Sequence, residues 1–198
     1  MRMIIPEELL LEHGAAIVEY PKGVAIFDQT AEAINYHQVK SGEVKMVNYS
    51  PEGQEFAQGF FKAGESFGEP PIFGDFPYPA SAIAVQKSEV FKLRKHHFFE
   101  LLGAHFEIHK KFNRLLSKRL RYKGMILNEI SSHPPEHRIK TLLSFLKEKM
   151  VPTNEFEVPY TRQQIADMTG LRVETVIRAI KKMESAGDLV IQNHKILF

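Results

Sequence analysis

Glu174 and Arg178, four residues apart near the C-terminus, have the chemistry to read base edges. On a helix they stand one turn apart on one face. The Arg178 guanidinium can donate two hydrogen bonds to guanine O6 and N7, and the Glu174 carboxylate can accept one from cytosine N4. At this spacing the carboxylate can also orient the guanidinium. Val173 can lie against a thymine methyl. Arg172 and Thr175 share the same first turn. Thr161, Arg162, Lys181 and Lys182 suit phosphate contacts, which hold a protein on a duplex without specifying sequence. Any amphipathic surface helix can carry one such ion pair, so the surrounding elements decide the reading.

Those elements are well marked. Thr161 with Gln164 forms a capping box, which starts a helix over Arg162–Met168. Thr169-Gly170-Leu171 is a tight turn in which Gly170 supplies the left-handed conformation. Val173–Ala186 is a second helix, with Val176, Ile180 and Met183 on its buried face, and Gly187-Asp188 ends it. Leu189–Phe198 reads as a hairpin turning at Asn193-His194. Helix, turn, helix and hairpin together predict a winged helix-turn-helix.

Upstream, residues 15–97 read as short strands separated by turns: Ala16–Tyr20, Gly23–Asp28, Ala33–Lys40, Glu43–Ser50, Glu55–Lys62, Ser81–Gln86 and Glu89–Arg94. Ser41-Gly42 and Pro51-Glu52-Gly53 mark two of the turns. This pattern predicts a sandwich or jelly roll. From Phe98 to Ile130 the period becomes helical. Leu101, His105, Ile108, Phe112, Leu115, Arg119, Tyr122 and Ile126 follow alternating steps of four and three, which predicts one continuous helix pairing with its copy in a second subunit. Ser131–Pro135 stops it, and Glu136–Met150 follows as an amphipathic helix. The expected division is 1–97, 98–131 and 132–198.

The 198 residues carry a net charge of +2 that is unevenly spread. Residues 1–97 hold 9 basic and 13 acidic side chains, and residues 98–198 hold 17 basic and 11 acidic. Such a split suits a polyanion partner for the C-terminal half alone. With no cysteine, disulfides, thiolate nucleophiles and cysteine-ligated metal clusters are excluded. Pro6, Glu7, Glu8 and Glu12 interrupt any signal-peptide core, and no apolar run is long enough to cross a membrane, so the expected location is the cytoplasm.

Enzyme readings are weaker. His133-Pro-Pro-Glu136-His137 fits H-x-x-E-H, the pattern of some zinc hydrolases, but two prolines between the histidines forbid one helical face. His105 and His109 are spaced as a metal pair, with Glu107 on another face. No nucleophile elbow, P-loop or dinucleotide fingerprint is present. A winged helix that binds protein rather than DNA is a further alternative. No catalytic residue, metal or cofactor is expected.

The stretch TRQQIADMTGLRVETVIRAIKKMESAGDLV resembles the helix-turn-helix of the cyclic-AMP receptor protein family of bacterial regulators (Crp/Fnr). The Tyr36–Val47 stretch, with Val39, Gly42 and Val44, resembles the family's sheet. The resemblance implies an α+β chain with an N-terminal β-roll of the cyclic-nucleotide-binding type, a long dimerisation helix and a C-terminal winged helix-turn-helix. It implies a homodimeric transcription regulator on double-stranded palindromic DNA, with RNA polymerase as a partner and a small-molecule effector of unknown identity. Glu174 and Arg178 match the family's base-reading pair. Val173 stands where the cyclic-AMP branch has an arginine, as in the oxygen-sensor branch, so the half-site should keep a GA core and lose one guanine contact. Ile177 adds no polar readout.

The effector residues implied by the resemblance are Gly68, Glu69, Ala80, Ser81 and Lys123. Gly68-Glu69 matches the phosphate-binding cassette, and Ser81 is in place. The arginine expected before that serine is Ala80, and no Lys or Arg lies between Lys62 and Lys87. A buried phosphate lacking its guanidinium forfeits a charge-assisted bond worth about 1.5–3 kcal/mol. Lys123, at the family's adenine-contacting helix position, is the cation left to supply a charge. The expectation is a regulator that does not respond to cyclic AMP.

Overall fold

The computed structural model describes residues 3–50, 53, 55–150 and 156–198, without the side chains of 129–132 and 149–150. The Pro51-Glu52 part of the expected turn and most of the 151–160 loop lie outside the described residues. Two compact units are formed, Met1–Lys118 and Arg119–Phe198.

The first unit opens with α1 (Glu7–Glu12), then β1 (Ala16–Tyr20), β2 (Ala25–Phe27), β3 (Asn35–Ser41), β4 (Glu43–Tyr49), β5 (Glu55–Lys62) and β6 (Ser66–Phe67). A short helix, α2 (Glu69–Gly74), leads to β7 (Ser81–Ala84), β8 (Ser88–Arg94) and α3 (Lys95–Ala104). The strands form two antiparallel four-stranded sheets, in the orders β1-β8-β3-β6 and β2-β7-β4-β5. Their inner faces follow the period of two: Val44 and Met46 on β4, and Ala82 and Ala84 on β7, point to the core. In β3, five successive residues from Asn35 to Val39 are buried, because this strand is central and covered on both faces. Gly42 joins β3 to β4 with φ +86°, and a Cβ there would stand 2.6 Å from the Lys87 carbonyl oxygen, so the turn requires glycine.

Aromatic rings fill much of the space between this roll and its helices. Tyr36 stacks on Phe98 at 4.5 Å between centroids, and Phe112 meets both rings edge-on. The buried Gln38 side chain accepts a hydrogen bond from the Ile5 N–H and donates one to the Ile5 carbonyl, pinning the segment before α1 to the sheet.

The expected single helix over Phe98–Ile130 is two helices. After α3 the chain breaks at His105 (φ −127°, ψ 76°) and continues as α4 (Phe106–Ser132). The His105 N–H still donates to the Leu101 carbonyl, while its own carbonyl accepts from the Ile108 and His109 N–H groups. One residue thus closes α3 and begins α4. Gly103, a weak helix former, lies two residues before the break.

The break alters the expected seam. Leu101, Ile108 and Phe112 are buried in the first unit's own core. Tyr122 stacks on Phe145, 4.5 Å between centroids, and Ile126 is buried. These positions serve the chain's own packing. Among the described side chains of α4, the exposed large apolar residues are Phe106 (68 %), Leu120 (73 %) and Leu127 (70 %).

The second unit continues with α5 (Pro135–Met150), α6 (Arg162–Thr169), α7 (Val173–Ser185), β9 (Val190–Gln192) and β10 (Lys195–Leu197). Ile139, Leu142, Leu143 and Leu146 of α5 are buried, as the 3.6-residue period requires. Backbone bonds from Phe156 and Val158 to Phe198 and Ile196 add an edge to the hairpin.

Candidate nucleic-acid interface and effector cassette

The helix-turn-helix is held by local chemistry. Thr161 Oγ1 accepts from the Gln164 N–H, and Gln164 Oε1 accepts from the Thr161 N–H, completing the capping box. Gly170 takes φ +66°, and its N–H donates to the Ala166 carbonyl. Arg172, extended at φ −74°, ψ 147°, is the N-cap residue of α7. Val176, Ala179, Ile180 and Met183 turn inward.

The opposite face of α7 therefore points outward with Arg172, Glu174, Ile177, Arg178 and Lys181. Among the described residues, the side chains of Arg172, Glu174, Arg178 and Lys181 have no hydrogen bond or ion pair within the chain. Glu174 and Arg178 do not pair with one another, so neither is neutralised before a ligand arrives. Val173 and Thr175 are half-exposed on the same first turn.

Three predicted phosphate contacts have other duties here. Thr161 spends its hydroxyl oxygen on the cap. Arg162 Nη1 donates to the His194 carbonyl, tying the wing tip to the start of α6. Lys182 pairs with Glu136 of α5 at 2.9 Å, and that cation holds the Glu136 carboxyl below its ordinary range. Asn193 and His194 both have positive φ, 50° and 63°, the backbone of a two-residue hairpin turn. Glu184 of α7 accepts from the Ile191 N–H and fixes the hairpin's base.

The cassette lies in the first unit. Gly68, at φ +73°, leads into α2, and Glu69 is fully buried. Phe27 and Tyr78 stack at 3.6 Å, and a Cβ on Gly68 would stand 3.0 and 3.1 Å from their ring atoms. Tyr78 Oη donates to the Asn35 carbonyl. Burial, and next the nearby Glu69 charge, raise the Tyr78 pKa. Ala80 is fully buried, and Ser81 Oγ accepts from the Gln29 N–H. Phe67 and Ile72 are buried, whereas Pro70 is exposed. Lys123 belongs to the other unit, and burial, then the Arg119 charge, lower its pKa.

His37 is a residue of this region that the sequence reading missed. It is 2 % exposed, its ring lies 5.2 Å from that of Phe27 and 5.4 Å from that of Phe67, and neither ring nitrogen has a hydrogen-bond partner. Burial, assisted by Lys92, lowers its pKa to about 3. The only available signal was its place in the all-buried run of β3, which depends on strand pairing.

The candidate metal sets fare differently. His133 and His137 rings do approach, at 4.2 Å between centroids, but Glu136 is turned to Lys182. His105 sits at the helix break with its ring 6.0 Å from that of His13, and His109 lies against Phe106. The described residues contain no cluster of three metal-ligating side chains. No described helix is long and apolar enough to cross a membrane.

Residues 17–105 match the cyclic nucleotide-binding domain model, and residues 137–197 match the Crp-like helix-turn-helix domain model. The chain is 25 % identical over 179 residues to the fumarate and nitrate reduction regulatory protein of Escherichia coli, covering 88 % of this chain and 71 % of that protein. It is 27 % identical over 169 residues to the cyclic AMP receptor protein of Thermus thermophilus, covering 85 % and 76 %. Among solved structures, a CooA mutant from Carboxydothermus hydrogenoformans superposes with a TM-score of 0.83 at 19 % identity, covering 97 % of this chain and 85 % of that one. FixK2 from Bradyrhizobium japonicum gives 0.75 at 20 % identity, covering 93 % and 92 %. With a nucleotide-binding-type roll followed by this helix-turn-helix, the chain belongs to the Crp/Fnr family of transcription regulators.

Proposed function

We propose that the chain acts as a homodimer on a palindromic operator, with α7 of each subunit in a major groove about 34 Å from its twin. The observation that carries this reading is the outward face of α7, where Arg172, Glu174, Arg178 and Lys181 stand exposed and uncommitted. Arg178 reads guanine, Glu174 reads cytosine N4, and Arg172 and Lys181 serve phosphates. Thr161, Arg162 and Lys182, which also bond within the chain, add further phosphate contacts.

For the dimer face, Phe106, Leu116, Leu120 and Leu127 repeat along α4 at heptad positions, and three of them are among the most exposed apolar side chains of the described residues. Pairing two copies along this stripe removes it from water. In function, residues 1–97 serve as the sensing roll, 98–131 as the dimer helices and 132–198 as the DNA-binding part. RNA polymerase is the natural protein partner of such a regulator.

Cyclic AMP is not the effector in this reading. The Phe27–Tyr78 stack packs against Gly68, and Ala80 brings no cation to a phosphate. A different small molecule, or none, sets the regulator's state. The test is selection from a random duplex library with the purified, ligand-free protein. Enrichment of a palindrome with GA-containing half-sites is the expected result, and no enriched sequence, with or without cyclic AMP, contradicts the proposal.

A further inference from the structure

We propose that Ile177 reads the C5-methyl group of a thymine in each half-site. The inference rests on the DNA-reading function of α7 and adds a specificity contact to it. Ile177 is 42 % exposed and stands between Glu174 and Arg178 on the outward face of α7. Single exposed aliphatic residues are ordinary on protein surfaces. This one stands among four polar side chains with no partner among the described residues, and it has a second aliphatic residue, the half-exposed Val173, one turn before it.

Arg172, Arg178 and Lys181 surround this aliphatic pair with positive charge, which suits a polyanion rather than an apolar protein groove. In the major groove, the one apolar feature a base presents is the thymine methyl. Ile177 can neither donate nor accept a hydrogen bond. Placed against cytosine it would cover the N4 amino group without pairing it, and that buried donor penalises the wrong base. Thymine offers a methyl to bury and so is favoured. The side chain's branched Cβ limits its χ1 freedom, so little entropy is lost when it docks.

The experiment uses the full chain and duplexes carrying the selected operator. Each thymine is replaced in turn by deoxyuridine, which removes only the methyl. Wild-type protein and Ile177→Ala are compared, with Ile177→Val as a milder variant. Melting curves confirm that both variants fold, as expected for an exposed position. At one thymine per half-site, uracil should weaken wild-type binding about four-fold, the worth of one buried methyl group. Ile177→Ala should bind thymine and uracil duplexes equally at that position, and Ile177→Val should fall between. Placing 5-methylcytosine there should be tolerated better than cytosine. Uracil sensitivity at no position, or unchanged sensitivity in Ile177→Ala, overturns the proposal while leaving α7 as the reading helix. Equal binding to operator and scrambled duplex overturns the DNA reading itself.

Discussion

The ring of Tyr78 lies 3.6 Å from that of Phe27, nearly parallel, with both packed against Gly68 at the entrance to α2. The chain thus places its own aromatic surface at the cassette turn. Adding cyclic AMP should leave both the melting temperature and operator affinity unchanged. A ligand present at a hundred times its Kd stabilises the folded state by about 2.7 kcal/mol, so binding would be plain in a thermal melt. A rise of several degrees with cyclic AMP would sink this account of the cassette. Phe27→Ala should cost about 3–5 kcal/mol of stability, because the stack is part of the roll's core.

His37 gives the roll a pH dependence. Its pKa is about 3 in the fold, against 6.5 for an unperturbed imidazole. The unfolded chain therefore binds the proton more readily, and stability is lost as pH falls from 6.5 toward 3. The slope from this one group approaches about 1.4 kcal/mol per pH unit. Denaturant unfolding at pH 7 and pH 5 should show a larger loss for wild type than for His37→Phe, whose ring suits the neighbouring Phe27 and Phe67. Equal losses would show that His37 does not titrate between the two states.

If the stripe on α4 is the proposed dimer face, it predicts which substitutions give a monomer. Leu120→Asp and Leu127→Asp should give a folded monomer by analytical ultracentrifugation, with operator affinity sharply reduced. Phe112→Ala should instead lower stability by about 3–5 kcal/mol, because that ring is buried within its own subunit. A dimer that survives both aspartate substitutions would place the interface elsewhere.

What could be read from the chain alone was local. The Thr161–Gln164 box, the Gly170 turn and the Asn193-His194 hairpin each depend on residues within a few positions of one another, and each stands where the pattern put it. The strands were legible because short runs rich in Val, Ile, Phe or Tyr are closed by Gly, Pro, Asn or Ser. Features set by tertiary packing escaped. Helices α1 and α2 are six residues each, too short for a periodic signal, and β6 is two residues defined by pairing with β3. The break at His105 escaped because the alternating four-and-three spacing continues through it, while Leu101 of α3 and Ile108 and Phe112 of α4 enter the same core. Partner choice within the chain was also hidden: no spacing shows that Arg162 bonds the wing tip or that Lys182 pairs with Glu136 of α5.

Whether α7 reads sequence is tested by measuring Arg178→Ala against a panel of operators varied at every base pair. If α7 reads sequence, the variant loses discrimination at one base pair per half-site, at a cost of about 1–3 kcal/mol, and ranks the other positions as wild type does. A uniform loss across all sequences, or no loss, would mean that Arg178 does not read a base and that α7 is not the reading helix proposed.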